Sequence, residues 1–217
     1  MRKYLYLAAA AASATMVALP ASSAYAANNV LTIGSTGGAA VKIGAVLTSG
    51  LATGTSAVFS LSTETLTCKA SKFSATVKTN PAKPGTATES LTAQSFSSCT
   101  VNSSGVTVKS IQVKNLPYAA SVSDATGHPV KISGQSSTKP ILVTVTVAFG
   151  TSTIACTYKA SSISGHESNT GNSIAFSQQK LTFVSGSNLC PAAANFSAKY
   201  GPVVDASVTG SLKVFVN

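Results

Sequence analysis

The sequence predicts an all-β protein, an antiparallel β-sandwich or a barrel-like closure of many short strands. Apolar and polar residues alternate at Val41, Ile43, Ala45 and Leu47, at Phe73, Ala75 and Val77, and most regularly at Ile141, Val143, Val145, Val147 and Phe149. Turn-forming text separates these runs, and beyond residue 27 no stretch sustains a helical apolar period.

The first element is an export signal. Arg2 and Lys3 give a positive start, an apolar run follows from Leu5 to Leu19, and Ala24-Tyr25-Ala26 places small residues where a signal peptidase reads. Ser13, Thr15 and Pro20 interrupt the run, which is short beside the roughly 20 apolar residues of a membrane span. The expectation is a cleavable signal peptide over 1–26 and a secreted domain over 27–217, with no membrane span in the mature chain. Cleavage removes both Met residues and the single Arg, leaving Lys as the only strong base against five acids: Glu64, Glu89, Asp124, Glu167 and Asp205.

The strands follow in order, each bounded by turn chemistry. Asn80-Pro81-Ala82-Lys83-Pro84-Gly85 ends the Phe73–Val77 run, and Asn102-Ser103-Ser104-Gly105 precedes the next. Between Val106 and Asn115 the apolar phase changes from Val106 and Val108 to Ile111 and Val113, which predicts a bulge near Lys109 and Ser110. Asp124 to Pro129, Ser133-Gly134, and Ser168 to Asn172 mark further turns, and Leu212, Val214 and Val216 make a last half-buried strand.

Four cysteines, Cys68, Cys99, Cys156 and Cys190, are too widely separated for the close pairs of a zinc site and fit an oxidising compartment. They allow three connectivities. We favour Cys68 with Cys99 and Cys156 with Cys190, because the intervals are nearly equal and Leu66-Thr67-Cys68 resembles Ile154-Ala155-Cys156. That arrangement suits two similar β halves, 28–120 and 121–217, each with one disulfide. One continuous unit suits it equally, since no linker is visible.

Composition argues against several functions. The mature chain has no Arg, and its lysines are scattered singly from Lys42 to Lys213, a pattern of solubility and edge protection rather than a nucleic-acid footprint. There is no Trp, so flat stacking platforms are scarce.

Motifs of catalysis are incomplete. His166-Glu167 begins like a metalloprotease H-E-x-x-H, but Thr170 stands where the second His belongs, and the polar surroundings predict a surface loop. Asp124 and His128 lie in one loop and would need a serine from elsewhere to form a hydrolytic triad, while G-x-S-x-G does not occur. The reading therefore assigns no catalytic, cofactor-binding or metal-binding residues.

The text Leu66-Thr67-Cys68, Asn80-Pro81, Phe96-Ser97-Ser98-Cys99, Asn115-Leu116-Pro117-Tyr118, Cys156-Thr157-Tyr158, Cys190-Pro191 and Phe196-Ser197-Ala198-Lys199-Tyr200 resembles a group of uncharacterised secreted proteins from actinobacteria. The resemblance implies an exported, disulfide-bonded β protein of bacterial origin and no particular activity.

Three functional expectations follow. The first is a non-enzymatic secreted or cell-envelope-associated module acting through an unknown protein or envelope surface, without nucleic acid or cofactor. The second is a carrier of a small apolar ligand, which requires a cavity lined by Phe and Val. The third is a serine-type hydrolase, which requires Asp124, His128 and a serine to converge. The loop 78–87 also invites comparison with a protruding protease-inhibitor loop.

Overall fold

The computed structural model describes residues 28–217, so the expected signal peptide lies outside the described residues. Sixteen strands follow one another without a helix among them. In chain order they are β1 (Leu31–Ile33), β2 (Ala39–Ala40), β3 (Val46–Gly50), β4 (Ala57–Ser60), β5 (Thr65–Thr79), β6 (Thr86–Val101), β7 (Val106–Lys114) and β8 (Tyr118–Ser123). The second half holds β9 (Pro129–Ser133), β10 (Ile141–Phe149), β11 (Ser152–Ala160), β12 (Ser162–Ser168), β13 (Ser173–Gly186), β14 (Ala193–Tyr200), β15 (Val204–Asp205) and β16 (Leu212–Val216). All the pairings between them are antiparallel.

Eight strands close on themselves in the order β4-β5-β6-β8-β9-β12-β13-β14, and β14 returns to β4 through Asn195↔Ser60, Phe196↔Phe59 and Ser197↔Val58. Of the two all-β arrangements expected, this is the closed one, and it leaves the barrel without free edges. The closure draws on strands from both sides of residue 120, so neither half forms the barrel alone.

The long strands extend the barrel into two side sheets. β5 pairs with β4 through Thr65–Cys68 and with β3 through Lys72–Thr76, so its second half carries β3, β15, β16, β1 and β2. β13 pairs first with β12 and later with β11, which carries β10 and β7. Both side sheets send apolar residues to the barrel interior: Leu31, Leu47, Val214 and Val216 from the first, Val113, Ile141 and Val143 from the second.

The period-2 pattern does its expected work in β5, where Ala75 and Val77 are buried, and in β10, where Ile141 and Val143 are. The bulge falls where the phase change predicts it: Thr146 faces Ser110, Val147 faces Val108, and Lys109 is passed over. One run behaves differently. Val41, Ala45 and Leu47 are buried, but the chain turns at Ile43, which is 72% exposed. At the end of its sheet, β7 carries exposed Lys109 and Lys114, charges that discourage further strand pairing.

Disulfides join Cys68 to Cys99 and Cys156 to Cys190, and two such bridges fit an oxidising, extracellular environment. Their settings differ despite the similar flanking text. Cys68 and Cys99 face each other across β5 and β6, whereas Cys156 on β11 reaches a loop beyond β13. Among the described residues no helix is long and apolar enough to cross a membrane.

The bridges close loops with sequence separations of 31 and 34 residues, so chain entropy alone gives each about 3 to 4 kcal/mol. Cys68 is fully buried, whereas Cys156 and Cys190 are half-buried. Urea unfolding is therefore expected to show a larger loss for Cys68→Ala/Cys99→Ala than for Cys156→Ala/Cys190→Ala, because the first removes a fully buried sulfur and the second only half-buried ones. Equal losses would show that loop closure alone sets the contribution.

Candidate functional site

The inner face of the barrel is built by alternation. On β6 the inward positions are Ala87, Glu89 and Leu91, and on β8 they are Tyr118, Ala120 and Val122. Glu89 therefore occupies a core position, in register with Val77 on β5 and Ala120 on β8. It is 9% exposed, and among the described residues no hydrogen bond or ion pair reaches its carboxyl.

Glu89 borders a cavity of about 130 Å³ inside the barrel. One wall is aromatic: the Phe59 ring lies 5.3 Å from Phe96 and 5.1 Å from Phe196, and Phe176 stands 6.4 Å from Phe196. Phe176 reaches this position over Gly165 on the neighbouring strand. A β-carbon at Gly165 would lie 2.5 Å from the Ala175 carbonyl and 2.8 Å from the Phe176 ring, so only glycine leaves the space. The rest of the lining is mainly Val, Ile and Leu from both the barrel and the side sheets.

The other polar groups at the cavity are engaged in bonds of their own. Tyr200 Oη and Ser71 Oγ lie 2.9 Å apart, and Gln94 Nε2 donates to both. The Tyr118 hydroxyl donates to the Lys114 carbonyl and accepts from Leu142 N–H at 3.1 Å. Burial raises both tyrosines above the ordinary phenol range, so they stay neutral.

A second carboxyl, Glu167 on β12, shares a hydrogen bond with His128 Nδ1 at 2.8 Å through Oε2, while its buried Oε1 has no partner. Burial lifts this carboxyl above its usual range, and the bond to His128 draws it partly back. Asp124 is not the partner of His128. Its carboxylate instead accepts from Gly85 N–H at 3.0 Å, tying the 80–85 turn to the β8–β9 loop. The same turn is anchored by Val30 N–H donating to the Pro81 carbonyl and Lys83 N–H donating to the Asn28 carbonyl, with residues 81–84 exposed. His166-Glu167, expected in a loop, lies on β12, with Glu167 directed inward and the exposed His166 bonded to the Gly127 carbonyl. The correction has a plain cause: Ile163, Gly165 and Glu167 form one inward face, and a glycine and a carboxylate disguise its period.

A second hollow, of about 280 Å³, lies between the start of β5 and the sheet of β7, β10 and β11, and shares Phe59, Val143 and Leu181 with the first. Phe149 and Leu189 border it with 54% and 69% of their surface exposed. Glu64, hydrogen-bonded by Ser103, and Tyr158 supply its polar side. Burial, aided by the nearby Glu64 charge, pushes the Tyr158 phenol up to about 12.

Among the described residues no group of three or more His, Cys, Asp or Glu could hold a metal ion. What the barrel cavity offers chemically is apolar contact, the Glu89 carboxyl without a partner and the unpaired Oε1 of Glu167. The chain matches no protein-family model, no curated protein and no solved structure. Sequence reasoning passed over Glu89, although one signal was present: it stands in phase with Ala87 and Leu91, where an apolar residue is expected.

Burial without a partner pushes Glu89 up to about 8 from an ordinary value of 4.5. Between those values the folded protein holds a proton that the unfolded chain has lost, so stability falls as pH rises through this window. Glu89→Gln removes the effect. Thermal and urea unfolding are expected to show the advantage of Glu89→Gln over the natural chain growing to several kcal/mol between about pH 5 and about pH 9. A constant difference across that range would contradict the buried, partnerless carboxyl.

Proposed function

We propose that this protein is a non-enzymatic, exported binding protein that holds a small apolar molecule inside its barrel. The supporting observation is the cavity of about 130 Å³, lined by Phe59, Phe96, Phe176, Phe196 and aliphatic side chains. Interiors normally close such spaces, because each leaves apolar atoms without contacts. An apolar cavity of about 150 Å³ stays dry and takes up benzene. The cavity therefore suits a ligand of that size class and is too small for the drug-sized or long-chain ligands that occupy roughly 300 to 1,000 Å³. The export signal at 1–26 and the two disulfides support a working place outside the cell.

A second reading, contact with a protein or envelope surface, draws support from the second hollow, which Phe149 and Leu189, both exposed, line together with apolar neighbours. Hydrolysis draws less support, since Asp124 and His128 each engage a different partner.

Benzene at millimolar concentration is expected to move the amide resonances of Ala120, Ile132 and Phe196, which line the cavity, and to leave those of Phe149 and Leu189 in place. Ala120→Leu, which occupies part of the space, should abolish the movement while the circular dichroism stays that of a folded β protein. Shifts confined to Phe149 and Leu189 would favour the outer surface, and no shifts at all would overturn the ligand-binding reading.

A further inference from the structure

Building on the ligand-binding reading, we infer that the cavity selects small neutral molecules bearing one carbonyl group, with the Glu89 carboxyl donating a hydrogen bond to the carbonyl oxygen. Glu89 is nine-tenths buried, borders the cavity, and has no partner among the described residues. A polar group so placed is costly unless something bonds to it. Replacing it by an apolar residue of similar size would remove that cost, so its presence points to a partner supplied from outside the chain.

The chemistry of that partner follows from the surroundings. The cavity is lined by apolar groups, by Tyr118 and Tyr200, whose hydroxyls are already bonded, and by Glu167, whose Oε2 is held by His128 while its Oε1, an acceptor when ionised, has no partner. No Lys borders it, so a carboxylate or phosphate on the ligand would meet carboxyls and no counter-charge. A cationic amine would require Glu89 to ionise in an apolar space, with two ions to desolvate, inside a chain whose net charge is already positive. A neutral acceptor needs neither. Below about pH 8 the Glu89 carboxyl keeps its proton and has an O–H to donate.

Cyclohexane, cyclohexanone and cyclohexylamine share one ring size and separate these cases. Their affinities for the oxidised protein can be read from amide shift titrations of the natural chain, Glu89→Leu and Glu89→Gln. Glu89→Leu should weaken cyclohexanone binding by about fivefold, the factor that one neutral hydrogen bond supplies, and should not weaken cyclohexane. Glu89→Gln, which keeps an N–H donor that does not titrate, should retain cyclohexanone. It should also remove the decline in cyclohexanone preference over cyclohexane that the natural chain shows as the pH passes above about 8. Glu89→Gln also keeps the test open if Glu89→Leu does not fold. Cyclohexane binding with no Glu89-dependent preference for cyclohexanone would overturn this inference and leave the apolar-ligand reading standing. Tighter binding of cyclohexylamine than of cyclohexanone would overturn the carbonyl assignment, and no binding of any of the three would overturn both.

Discussion

Everything in this fold depends on the meeting of β4 and β14. Only three registered pairs join them, from Ser60↔Asn195 to Val58↔Ser197, yet they turn a long curled sheet into a closed barrel. The central pair is Phe59 and Phe196, whose rings are 5.1 Å apart and both approach Phe96. Backbone pairing and ring packing thus act at one point in the chain. Without that closure the inward faces of β6, β8 and β9 would meet water, and Glu89 would lose the environment that holds its proton.

The barrel's construction also explains why its interior is apolar but incompletely filled. β5 and β13 each change partners part-way along, so each serves the barrel with one half and a side sheet with the other. The side sheets bring Leu31, Val214 and Val216, and Val113, Ile141 and Val143, to the same interior. Small inward residues such as Ala75 and Ala120 stand among the larger ones and border the space that remains. A carboxyl in that space destabilises the empty fold, which is the trade expected where a binding site is held ready.

Much of the strand pattern was legible in the sequence, for physical reasons that also explain what was not. Ile141 and Val143 stand in phase because one face of β10 packs into the core at its start, although Thr144 is buried on the other face and Phe149 is exposed, and the phase change near Lys109 marks a real bulge. A period of two is common to sandwiches and barrels, so closure was not legible. The closing strand is the four-residue text Ala57-Val58-Phe59-Ser60, too short to announce itself. Ile43 misled in the opposite direction, because an apolar residue in phase was placed on a turn. The site was hidden in the same manner. Glu89 and Glu167 hold inward positions in strands of Ser, Thr and Gly, where a charged residue ordinarily reads as exposed.

The central claim is that β4–β14 closure leaves a dry, apolar space beside Glu89. A crystal structure determined under xenon pressure tests it most directly, because xenon occupies apolar cavities and avoids wet ones. The account predicts a xenon atom within the barrel, between the Phe196 side and the Glu89 carboxyl. An interior without xenon, or one in which a chain of ordered waters reaches Glu89 from outside, would contradict it.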